Sequence, residues 1–197
     1  AGPLPRAKTA ELWIGAATTS ITPDRPVALA GQMTTRIATK VETPCTATAL
    51  ALEARQGSRV VDQAILVSCD LAVIRGDMGK KLKGIKARYG VLGITGNHEY
   101  IGGAKKAVEY LEAHGIKMLL DDKVRIGDAL WVAGRKDRSG SRFDGSPRRT
   151  LPEILSGSEP NDPVILLDHQ PFALEDAGSN NVDLQLSGHT HHGQLWP

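Results

Sequence analysis

The rhythm of apolar positions along this chain changes near residue 75. Before that point three runs read as strands. Residues 11–22 (ELWIGAATTSIT) stop at Pro23, and residues 46–55 (TATALALEAR) alternate small and apolar side chains. Residues 63–74 (QAILVSCDLAVI) are almost continuously apolar, which predicts a central strand buried on both faces. Residues 1–10, with Gly2, Pro3 and Pro5, read as a disordered lead-in. After a Gly- and Lys-rich stretch at 75–90, strands and helices alternate. Strands are predicted at 89–96, 116–122, 129–134, 163–169 and 182–189, and helices at 104–115 and 151–157. In the first helix Ala107, Val108, Leu111 and Ala113 are the apolar positions, and Gly115 suits its end. The fold class that follows is α/β, with layered mixed β-sheets flanked by helices.

Composition narrows the function classes. At 197 residues the chain is long enough for one domain or a close pair of small ones, with a real core. A net charge of +2 is too small a bias to point to a nucleic-acid partner, and none is expected. Cys45 and Cys69 match neither a disulfide framework nor a zinc knuckle and read as plain thiols. No run approaches the roughly 18 apolar residues of a membrane span. Residues 1–10 lack the apolar stretch of a signal peptide. The expected setting is the cytoplasm or a membrane periphery.

Chemistry concentrates where apolar strands end. One strand runs into Asn97, His98 and Glu99, another into Asp168 and His169, and the last into His189, His191 and His192. The run at 63–74 contains Asp70. Sites of α/β folds lie at the carboxyl ends of strands. Asp70, Asn97, His169, His189 and His191 are therefore the candidate metal ligands. Imidazole, carboxylate and amide oxygen suit Mn, Fe or Zn. An ion so held polarises a phosphoryl oxygen and activates water, while a histidine outside the ligand set protonates a leaving alkoxide. His114 reads instead as a helix-end residue, and His192 as an exposed turn residue. The basic loop at 135–149 reads as a solvated surface segment offset by Asp137 and Asp144, or else as a phosphate or anionic-lipid binding element.

The motifs GNHEYIGG at 96–103, LLDHQP at 166–171 and LSGHTHHGQLWP at 186–197 resemble those of calcineurin-like metallophosphoesterases. The resemblance runs from about Met78 to Pro197 and is nearest to a small bacterial branch whose members are often attached to membranes. It implies part of a metallophosphoesterase sandwich, a two-metal centre and hydrolysis of phosphomonoesters or phosphodiesters. It implies Asn97, His169 and His189 as ligands of one metal, His191 as a ligand of the other and His98 as the catalytic leaving-group histidine, with Glu99 in support. Two features depart from that pattern. The opening Asp-X-His motif has no counterpart, since the first histidine is His98, and the Gly-Asp motif has two candidates, Asp70 and Asp77. Asp70 is preferred because it follows an apolar strand. Residues 11–75 resemble the start of a neutral, non-lysosomal ceramidase-type domain, without that family's zinc histidines.

The expectation is thus a hybrid of two segments, 1–76 and 77–197. It would be a hydrolase of small-molecule or lipid phosphoesters that holds one or two metal ions per chain. Its activity would be weakened by an incomplete second position, and peripheral membrane contact is compatible with the resemblance. A ceramidase-like amide hydrolase and a non-catalytic phosphate- or lipid-binding module are the alternatives.

Overall fold

The computed structural model describes residues 11–29, 34–69, 77–127, 130–143, 145 and 147–189. The architecture is mixed α/β, several small sheets with flanking helices. The chain divides into two units, Ala1–Ala72 and Val73–Pro197.

The first unit contains β1 (Glu11–Ser20), β2 (Val27–Ala28), β3 (Ile37–Ala38), β4 (Thr46–Gln56) and β5 (Arg59–Cys69). β1, β4 and β5 form an antiparallel sheet with β4 in the middle, and β2 pairs with β3. Gln56 faces Arg59 across a tight hairpin in which Gly57 takes φ +63°, a conformation that costs glycine no Cβ clash. The structure corrects the reading of residues 63–74 as a buried central strand. β5 is an edge strand, with Ile65 66% and Val67 63% exposed. A continuous apolar run signals burial only where a layer covers each face. Among the described residues of this unit there is no helix to supply one.

The second unit begins with α1 (Asp77–Lys83), β6 (Val91–Gly93), α2 (Asn97–Gly102), α3 (Ala104–Ala113) and β7 (Ile116–Met118). It continues with β8 (Asp122–Ile126), β9 (Leu130–Gly134), α4 (Gly140–Phe143), α5 (Leu151–Leu155), β10 (Val164–Leu167), α6 (Leu174–Ser179) and β11 (Leu184–Leu186). β6 and β7 run parallel. The larger sheet has the order β11-β10-β9-β8; its first three strands are parallel and β8 is antiparallel to β9. Parallel neighbours need crossovers, so α6 spans β10 to β11 while α4 and α5 lie between β9 and β10.

In α3 the half-buried residues are Ala104, Ala107, Val108, Tyr110 and Leu111, an inward stripe at helical spacing. Ala113, counted on that stripe from the sequence, is exposed. The helix ends at His114, whose Nδ1 lies 2.7 Å from the Tyr110 carbonyl, and Gly115 follows at φ +84°. α5 starts at Thr150, whose N–H and hydroxyl both donate to Glu153 Oε2 at 2.7 Å. Those bonds stabilise the charged carboxylate and hold the Glu153 pKa down. At the other end of α5, Lys123 Nζ of β8 donates to the carbonyls of Leu155 and Ser156. The predicted strand at 116–122 is two strands, because the chain turns at Asp121 with φ +58°.

Ala133, Leu151, Ile154, Leu166 and Ala177 form the core of this unit, with Leu155 and Val182 packed against it. A second contact joins the two sheets. A Cβ at Gly134 would meet Leu119 Cβ at 2.4 Å and Ile94 Cγ2 at 2.8 Å, so the ends of β6, β7 and β9 meet at a point without room for a methyl group. Leu166→Ala should destabilise this unit by about 2–5 kcal/mol through cavity formation. Gly134→Ala should cost about 1–3 kcal/mol through overpacking. Urea denaturation checks both, and a loss under about 0.5 kcal/mol for either, as for an ordinary surface change, would contradict the packing described.

Candidate metal centre

The candidate site lies past the carboxyl ends of β6, β10 and β11. β6 leads through Ile94, Thr95 and Gly96 to Asn97, the first residue of α2. β10 leads to Asp168 and His169, and β11 to Ser187, Gly188 and His189. The two parallel strands are tied beyond their ladder: Asp168 N–H donates to Leu186 O at 3.1 Å and Gly188 N–H to His169 O at 2.9 Å. Glycine at 96 gives the His169 ring its room. A Cβ there would come to 3.0 Å from His169 Cε1 and Nε2. Glu99 Oε2 accepts the Gly96 N–H at 2.7 Å, which fixes the entry to α2.

Three side-chain atoms converge there. His169 Nε2 is 3.0 Å from Asn97 Oδ1, His189 Nδ1 is 3.3 Å from the same oxygen, and the two ring nitrogens are 3.3 Å apart. Each neutral imidazole has one N–H, and a carbonyl oxygen has none. At most two of these three contacts are therefore hydrogen bonds. A single cation among the three atoms would satisfy all of them. With metal–ligand distances of about 2.0–2.2 Å, neighbouring ligand atoms lie about 3.0–3.5 Å apart, and the observed triangle has those edges. His189 also holds φ +68°, a conformation that costs an L side chain on the order of 1 kcal/mol and that clusters at functional sites.

The other sequence candidates fare differently. His98 follows Asn97 in α2, is half-buried and makes no hydrogen bond among the described residues. Asp77 opens α1. Asp70 and His191 lie outside the described residues, as does His192. Among the described residues no three His, Cys, Asp or Glu side chains gather into a metal-binding group; the third donor beside the two histidines is the Asn97 amide.

Asp168, which the sequence groups with His169, is held by arginines instead. Its buried carboxylate pairs with Arg148 and, at 3.7 Å, with Arg135, which also reaches Asp176 at 3.7 Å. Burial pushes the Asp168 carboxyl above the usual carboxylate range, and the two guanidinium groups pull against it. Burial, with Arg148 close by, lowers the Arg135 pKa. The basic loop is thus tied down at several charges although much of it stays exposed. Asp121, which sequence reasoning missed, accepts the N–H groups of Lys136 and Arg149 at 2.9 and 3.0 Å. Asp137, expected as a surface offset charge, is buried and accepts Gln170 Nε2 at 3.1 and 3.0 Å. Its own N–H donates to Thr95 Oγ1 at 3.4 Å, and the Thr95 hydroxyl faces Tyr100 OH at 3.5 Å. The loop is thereby tied to the residue after His169 and to the strand end before Asn97. Nothing local in the sequence marks Asp121 or Asp137 as buried; only their partners do.

Gly96→Ala should displace the His169 imidazole and shift its ring resonances in a nitrogen–proton NMR spectrum, while those of His114 stay in place. Unchanged His169 resonances would mean that the close approach is absent in solution.

Comparison with known proteins finds relatives named for one reaction class. The chain is 36% identical over 107 residues to a protein of Aquifex aeolicus named an uncharacterized metallophosphoesterase, covering 54% of this chain and 41% of that one. It is 28% identical over 151 residues to a Helicobacter pylori protein of the same name, covering 70% and 40%. It is 30% identical over 161 residues to a transmembrane protein with metallophosphoesterase domain from Danio rerio, covering 71% and 37%. This chain spans about two fifths of the length of these relatives. No family model and no solved structure matches it. No helix among the described residues is long and apolar enough to cross a membrane. Over more than half of its length, the chain is similar to proteins named metallophosphoesterases.

Proposed function

We propose that this chain supplies a metal-dependent hydrolytic centre for phosphomonoesters or phosphodiesters, with Asn97, His169 and His189 as ligands of one tightly held ion. The observation that carries this reading is the triangle of Asn97 Oδ1, His169 Nε2 and His189 Nδ1, with edges of 3.0, 3.3 and 3.3 Å. The remaining sequence candidates for ligands, Asp70 and His191, lie outside the described residues. When bound, such an ion polarises a phosphoryl oxygen and acidifies water.

The rest is the work of the chain's own side chains. Gly96 lets the His169 ring lie against the backbone, so the two imidazoles and the amide are already positioned before anything binds. That preorganisation is what makes electrostatic stabilisation effective in a transition state. His98 adjoins the ligand Asn97 and is only half-buried, so its ring can give a proton to a departing alkoxide. Similarity to relatives named metallophosphoesterases supports the reaction class; Mn, Fe and Zn all suit the donor set.

Elemental analysis of the purified chain should find about one tightly held ion, as three or four protein ligands would bind. Hydrolysis of bis-p-nitrophenyl phosphate should depend on added manganese. His169→Ala should lose both the ion and the turnover. His98→Ala should keep the ion and lose about 100- to 10,000-fold in turnover. A His169→Ala protein with its full metal content would refute the ligand assignment.

A further inference from the structure

Beside the candidate centre lies a shallow cleft of about 360 Å³, lined by Arg138, Ser139, Ser141, Arg142, Arg148 and Gln170. Three guanidinium groups and two hydroxyls line one open space. Arg148 is engaged by Asp168, but Arg138 and Arg142 have no carboxylate partner among the described residues. Arg138 lies in the turn before α4 and Arg142 within α4, and both line the same open space. Arg138 is held in place, with its guanidinium 3.6 Å from the centroid of the Phe172 ring.

The position of the cleft is fixed by the interactions that position the candidate ligands. Gln170, which follows His169, grips buried Asp137, and Asp137 in turn accepts the Ser139 N–H at 2.8 Å. Gly140 of α4 packs on Tyr100 of α2, whose first residue is Asn97; a Cβ at 140 would be 3.0 Å from the Tyr100 ring. The cleft therefore begins one residue from His169 and abuts the helix that carries Asn97. Guanidinium forks with neighbouring hydroxyls match the oxygens of a phosphate group.

We propose that this cleft is a subsite for a second phosphate of the substrate, distinct from the phosphoryl group that is hydrolysed. The proposal rests on the phosphoesterase reading, and it selects substrates with two phosphate groups over those with one. A single-phosphate ester would fill the centre and leave Arg138 and Arg142 without an anion.

The test has two arms. In the first, the full chain in EDTA is titrated calorimetrically with inorganic pyrophosphate. Saturable binding is expected, weakened at least about tenfold in R138Q/R142Q by loss of two charge-assisted contacts. It should be kept within about threefold in K105Q/K106Q, which removes two exposed charges from α3, and fall between wild type and R138Q/R142Q in R138K/R142K, which keeps the charge but loses the planar fork. Absence of saturable binding, equal affinity in R138Q/R142Q, or equal weakening in K105Q/K106Q would each overturn the subsite. In the second arm, phosphate release by the metal-loaded chain is compared for fructose 1,6-bisphosphate and fructose 6-phosphate. The bisphosphate should show a KM lower by about tenfold, and R138Q/R142Q should abolish that advantage. Pyrophosphate binding without a bisphosphate advantage would mean that the cleft takes free phosphate, and the proposal would fall. Failure of the phosphoesterase reading itself is seen separately, as absent metal and absent turnover with either sugar.

Discussion

A methyl group at position 96 would come to 3.0 Å from the His169 ring, so any side chain there would push that ring aside by a few tenths of an ångström. The rest of the site depends on that approach. With His169 against the backbone, its Nε2 reaches Asn97 Oδ1, and the bond from Gly188 to the His169 carbonyl brings β11 and His189 to the same point. The neighbouring strand ends meet under a similar constraint at Gly134, where Leu119 and Ile94 leave no space for a side chain. Two glycines thus set the distance between sheets, and that distance sets the distance between donors.

The acidic residues behind the site do structural work in low-dielectric surroundings. Asp121, Asp137 and Asp168 are all buried. Each is surrounded by N–H donors or cations from the basic loop, and burying a carboxylate without such partners would cost several kcal/mol. For Asp168 the balance is close: burial still raises its carboxyl pKa although two arginines oppose it, and its Oδ1 has no hydrogen-bond partner. Such a network adds little net stability but discriminates strongly between arrangements, because any other fold of the loop would strand three buried charges. Arg138 and Arg142 of the same loop line the cleft.

The first unit shows the opposite situation. Its sheet presents Leu12 and Ile14 of β1 and Ile65 and Val67 of β5 to solvent, and β1 is exposed along its whole length. The local pairing is well specified by the Gly57 hairpin and the register of β4 with both neighbours. Strand propensity and turn chemistry are sufficient for that much; burial is not reached within the unit.

The sequence by itself determined the α/β alternation of the second unit, most of its strands, the α3 and α5 helices and the clustering of Asn97, His169 and His189 at strand ends. These follow from periodicity, caps and turn residues, which act over a few positions of chain. Ala113 was misread because apolar spacing does not say which edge of a stripe turns outward. The break at Asp121 was missed because buried acids look like surface acids until their partners are in place. Tertiary structure alone decided the 3.0–3.3 Å triangle, the burial of Asp137 and Asp168 and the gathering of three arginines at one cleft. The triangle and the partners of Asp137 and Asp168 join groups separated by 20 residues or more of chain, and only packing can bring such groups within the few ångströms over which hydrogen bonds and ion pairs act.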